Sequence, residues 1–62
     1  MTPEKIIEIS KDGKAHIFFE ENMKLSMGYA SAALRDESIP HTAIEKDGRM
    51  ALLVSRKGLT IR

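Results

Sequence analysis

Apolar and polar positions in the opening third of the chain follow the pattern of a β-hairpin. Lys5-Ile6-Ile7-Glu8-Ile9-Ser10 is rich in β-branched residues, and Ala15-His16-Ile17-Phe18-Phe19-Glu20 is apolar and strand-prone. Between them, Lys11-Asp12-Gly13-Lys14 carries Asp-Gly, the pair favoured where both central residues of a type I′ turn need positive φ. Period two places Ala15, Ile17 and Phe19 on one face of the second strand and His16, Phe18 and Glu20 on the other. On the first strand Ile7 and Ile9 face the core with Lys5, and Ile6 stands beside Glu8 on the opposite face.

The period then lengthens. Met23, Met27, Ala30 and Leu34 fall at spacings of 4, 3 and 4, a single helical stripe that Tyr29 and Ala33 widen. Asn22 and Ser26 are competing N-caps, and Glu20 and Glu21 favour the earlier start through the macrodipole. The helix ends before Pro40, because Ile39 ahead of a proline is biased out of the helical region.

The last third returns to alternation. His41-Thr42-Ala43-Ile44-Glu45 alternates weakly, Lys46-Asp47-Gly48-Arg49 is a second Asp-Gly turn, and Met50 to Ser55 reads as a strong strand. Its Met50, Leu52 and Val54 share one face, with Ala51, Leu53 and Ser55 on the other. Arg56-Lys57-Gly58 reads as a further turn, followed by a short edge strand over Leu59-Thr60-Ile61-Arg62. The expected fold is α+β: a small antiparallel sheet of four or five strands, with two Asp-Gly hairpins, packed against one α-helix. The element order is β-β-α-β-β with an optional fifth strand, in a single small domain over 1–62. A helix-turn-helix is excluded on this reading, since it needs two helices.

Length sharpens the picture. A chain of 62 residues buries only roughly 60% of its unfolded surface, and small chains without disulfides often gain stability by oligomerising. One helix covers one face of a sheet, yet Ile6, Phe18 and Leu53 point away from the main apolar set. These three are the expected partner-binding face, filled by a second copy in a homodimer or by another protein.

Charge supplies the second candidate surface. The ten basic and nine acidic side chains nearly cancel, but residues 48–62 hold Arg49, Arg56, Lys57 and Arg62 and no acid. If these share an edge with the turns, the strip contacts phosphates, which makes nucleic acid the second expected partner. Basic edge strands also block edge-to-edge aggregation without any ligand.

Catalytic chemistry finds no pattern. With no cysteine, zinc would have to rest on His16 and His41 plus carboxylates, and no H-x-x-x-H or H-E-x-x-H spacing appears. Ser10, Ser26, Ser31, Ser38 and Ser55 are scattered outside any nucleophile elbow. Gly13 and Gly48 belong to turns, and no phosphate loop is present. Asp36 and Glu37 read as solvated charge at a helix end, and Met23, Met27 and Tyr29 as core positions. No catalytic residue, metal or cofactor is expected. Neither a signal peptide nor a membrane-spanning run is found, the longest apolar run being Met50–Val54, so a cytoplasmic protein is expected. The sequence thus points to a non-catalytic interaction module, a small regulator or inhibitor acting by protein binding and homodimeric. The alternative is a nucleic-acid-binding regulator using the basic C-terminal strands.

Overall fold

A computed structural model of the chain describes residues 1–59. The elements run α1 (Pro3–Ser10), β1 (His16–Phe19), α2 (Glu20–Met23), α3 (Met27–Asp36), β2 (His41–Lys46) and β3 (Arg49–Val54). The three strands form an antiparallel sheet in the order β1-β3-β2. The fold is therefore α+β, with one or two strands fewer and two helices more among the described residues than the apolar pattern suggests. The expected strand at residues 59–62 runs beyond the described residues.

The opening segment is the largest departure. Lys5–Ser10 is helical: N-terminal signals oppose the β-branched residues that follow, and the burial of Ile6 in the core decides between them. The Thr2 side chain accepts a hydrogen bond from the Lys5 amide at 3.3 Å, Pro3 occupies the first turn and Glu4 adds a carboxylate at the positive end. Helical spacing then sends Ile6 into the core and leaves Ile7 and Ile9 packed against it. The turn at Lys11–Lys14 consequently joins a helix to a strand. Gly13 has φ +77°, which relieves the chain of a side chain where Lys57 passes closest.

The second Asp-Gly turn does join two strands. Asp47 and Gly48 both have positive φ, 54° and 74°, the combination a two-residue type I′ connection requires, and Lys46 pairs with Arg49 across it. The two Asp-Gly segments thus share composition and not geometry.

Helix start and stop follow the local chemistry. Of the two candidate starts only Ser26 is used: Asn22 lies inside α2, whose N-cap is Phe19 and whose last residue is Met23, Lys24 then turns left-handed at φ 59°, and Ser26 caps α3 by accepting from the Tyr29 amide at 3.1 Å. At the other end Ser38 is left-handed at φ 57°, the Ser38 amide donates to the Arg35 carbonyl and the Ile39 amide donates to the Leu34 carbonyl. That pair of bonds is a Schellman motif, which satisfies the last carbonyls of α3 before Pro40.

The core lies on one face of the sheet. Ile6, Phe18, Met23, Ala30, Leu34, Ile39, Leu52 and Val54 form one buried cluster between the helices and the strands. Phe18 pairs with Leu52 and His16 with Val54, so the even-numbered residues of β1 face the helices. The expectation that Ile17 and Phe19 share the face of Leu52 and Val54 is reversed, because register decides which alternate set is buried. Truncating Phe18 to Ala should destabilise the domain by about 3–5 kcal/mol, whereas Ile17→Ala should cost under about 1 kcal/mol. Chemical denaturation of the two variants checks this, and equal losses would contradict the register.

Candidate nucleic-acid interface

Of the three residues expected to form an apolar partner face, two lie inside the molecule. Ile6 is fully buried and Phe18 is 8% exposed. They fail as a surface because Ile6 sits on a helix and Phe18 faces the core. Leu53 remains half-buried on the outer side of the sheet, where register places Ile17, Phe19, Ala51 and Ile44 with it. None of these five residues belongs to the buried core cluster between the helices and the sheet.

The basic residues do not gather into one strip. Arg49 opens β3 and Arg56 follows its far end, about 20 Å apart along an extended strand. Each is engaged locally. The Arg49 guanidinium pairs with Glu21 at 2.5 Å and lies 4.0 Å over the Phe19 ring. Arg56 donates to Ser10 Oγ at 3.1 Å and to the Ile7 carbonyl at 3.4 Å, which ties the chain after β3 to the last turn of α1. Lys57 runs over Gly13. Arg62 lies outside the described residues.

What the fold brings together instead is α2, a three-residue connection and α3. The four-residue α2 was hidden in sequence by its length, and its signals were Phe19-Glu20-Glu21 ahead of buried Met23. Met23, Ala30 and Leu34 anchor both helices in the core, and the left-handed Lys24 sets the angle between them. A one-turn helix, a tight turn and a ten-residue helix follow in the element order of a helix–turn–helix. Its second helix presents Gly28, Tyr29, Ala32, Arg35 and Asp36 to solvent. Tyr29, expected in the core, is 65% exposed, because the helix turns its Ala30 and Leu34 side inward. The hairpin of β2 and β3 stands beside this face and exposes Lys46, Asp47, Gly48 and Arg49 at its tip.

Between α3 and β2 runs an open groove of about 530 Å³, lined by Met27, Ser31 and Arg35 from the helix and His41, Thr42 and Ala43 from the strand. His41 forms part of its wall. Its Nδ1 is 2.8 Å from the Ile39 carbonyl, which can only accept, so Nδ1 carries the proton of the neutral ring. Nε2 is then an acceptor, and Ser31 Oγ donates to it at 2.7 Å. His16, the other histidine, faces Asp12, with Nε2 at 2.9 and 3.0 Å from the two carboxylate oxygens. No group of three or more metal-ligating side chains occurs among the described residues. No helix among them is long and apolar enough to cross a membrane.

Comparison with known proteins returns no match among family models, curated proteins or solved structures.

The Asp12 carboxylate is held below the usual range, chiefly by the Lys14 amide at 2.8 Å and then by the hydrogen bond from His16. A depressed carboxylate stabilises the fold above its unfolded pKa and loses that contribution as pH falls through the folded value. Asp12→Ala should therefore lower the melting temperature at pH 6, and the gap from the parent protein should close as pH drops below about 4. A gap that stays constant down to pH 2.5 would contradict it.

Proposed function

We propose that the protein is a non-catalytic DNA-binding regulator that docks α3 of its helix–turn–helix in the major groove, with the β2–β3 hairpin tip against the neighbouring backbone. The observation that carries this reading is the α2–Lys24–Ser26–α3 unit, with one side of α3 locked in the core and the other free. Ten residues of α-helix span about 15 Å, a fit to a groove about 12 Å wide. Gly28 and Ala32 keep that free side low, so the helix backbone approaches base edges closely. Tyr29 and Arg35 supply hydrogen-bonding groups on the same side, and Lys46 supplies charge at the hairpin tip. The reading moves nucleic-acid contact from the C-terminal basic residues to α3.

The absence of catalysis in this reading has a physical ground. Ser31 and His41 have the spacing of a nucleophile and its base, but Ser31 lies in the middle of α3. The surrounding amides are spent on helical hydrogen bonds, so α3 offers no backbone oxyanion hole beside Ser31.

Titration of a mixed-sequence 20-base-pair duplex at 50 and 200 mM salt tests the proposal. Arg35, Lys46 and one further contact would give a log–log salt slope of about −2.7, roughly a forty-fold loss across that range. Ala32→Glu, on the free side of α3, should weaken duplex binding at least about ten-fold by placing a carboxylate against phosphates, with an unchanged thermal melt. Absence of duplex binding at 50 mM, or an Ala32→Glu variant that binds as well as the parent, would overturn it. Preference for single strands would move the ligand class to single-stranded nucleic acid.

A second reading rests on the outer sheet face of Ile17, Phe19, Ile44 and Leu53. A second copy seated there would make the protein a homodimer with two α3 helices, as two-fold operators require. Sedimentation equilibrium should then show self-association that Ile17→Lys abolishes. A monomer across the accessible concentration range would remove this reading and leave the first intact.

A further inference from the structure

The α3–β2 groove sets Arg35, which the docking of α3 also uses, beside groups that the docking does not need. Arg35 is the one charged side chain on its lining, and it has no ion-pair partner among the described residues. Ser31 adds a hydroxyl group, and Met27, Ala43 and Leu52 give an apolar floor. A positive charge beside a hydroxyl group is complementary to a tetrahedral oxyanion.

His41 makes that complementarity depend on protons. In the neutral ring Nδ1–H is committed to the Ile39 carbonyl, so Nε2 takes up the added proton. That position now holds the Ser31 hydroxyl hydrogen bond. When Nε2 gains a proton it becomes a donor, Ser31 Oγ accepts from it, and the Ser31 O–H is released toward the groove. One protonation thus adds a positive charge to the wall and frees a hydroxyl donor.

No carboxylate forms an ion pair with His41 among the described residues. From α3 it meets Ser31, with Arg35 on the same groove. From its own segment it meets Ile39 and Pro40. From β3 its register partner is Val54, and beyond Val54 in β1 stands His16, already bound to Asp12.

We propose that the α3–β2 groove is a phosphate-binding site in which Arg35 holds the anion and His41, through Ser31, tightens the grip when it is protonated. This rests on the docking of α3 only for the source of the phosphate. In a bound duplex the anion is a backbone phosphodiester, and in its absence it is a free phosphate.

Sulfate is the first probe, because its charge does not change between pH 7.5 and 5.5. Its binding is followed by NMR shifts of the Arg35, His41 and Thr42 amides. The parent protein should bind sulfate about three- to ten-fold more tightly at pH 5.5 than at 7.5, the gain expected from one screened charge at a few ångströms. His41→Asn keeps a donor for the Ile39 carbonyl but does not titrate, and it should bind equally at the two pH values. Arg35→Ala should weaken binding at both. A gain in His41→Asn equal to that of the parent overturns the role of His41. Groove amides unmoved by sulfate at either pH overturn the site.

The same comparison with a 20-base-pair duplex separates this proposal from the docking of α3. Duplex binding that is sensitive to Ala32→Glu, without any sulfate response, keeps the docking and removes the phosphate site. A sulfate response without duplex binding keeps the site, assigns it to a free anion and removes the docking.

Discussion

The register of β1 against β3, with Phe18 opposite Leu52 and His16 opposite Val54, is the constraint on which the rest of the molecule depends. It selects the face of the sheet that the helices cover. Phe18, Leu52 and Val54 then meet Ile6, Met23, Ala30 and Leu34 in one cluster. A shift by one residue would turn Ile17 and Phe19 inward and Phe18 out, and Ile6 would lose its aromatic neighbour. β3 is the only strand paired on both sides, so its Ala51–Val54 segment is where hydrogen bonding and packing reinforce each other.

That single choice of face creates two different surfaces. On the helix side, α3 is anchored by Ala30 and Leu34 and leans on the sheet without covering β2. The uncovered strip becomes the groove in which Arg35, Ser31 and His41 converge. On the far side, Ile17, Phe19, Ile44 and Leu53 stay outside the buried core cluster. Arg49 shields one end of that face by lying over Phe19, which keeps its aliphatic stem on apolar surface and its charge on Glu21.

The two arginines singled out by charge alone show why a local excess of cations is weak grounds for a ligand site. Arg49 is committed to an ion pair and a ring, and Arg56 to the C-terminal turn of α1. Arg35 was unremarkable in a sequence count, yet it stands on a groove wall without a counter-charge. What separates them is the position of neighbouring elements, and that position is absent from any tally of residues.

Much of the local structure was determined by the sequence itself. Ser26 as a cap, the end of α3 before Pro40, the type I′ turn at Asp47-Gly48 and the strong strand through Leu52 all follow from chemistry within a few residues. The break at Lys24 was legible only as two competing helix starts, of which the protein uses Ser26 and replaces Asn22 with a single turn that begins at Glu20. The N-terminal segment shows where short-range propensity is insufficient. Ile6, Ile7 and Ile9 favour a strand, while Thr2, Pro3 and Glu4 favour a helix, and the contacts of Ile6 with a distant core decide the matter. Tertiary structure alone also decided the parity of β1, the burial of Ile6 and Phe18, the exposure of Tyr29 and the meeting of Ser31 with His41 ten residues on. Alternation reveals that a strand has two faces. Only the element packed against it, supplied from elsewhere in the chain, determines which of the two is the inside.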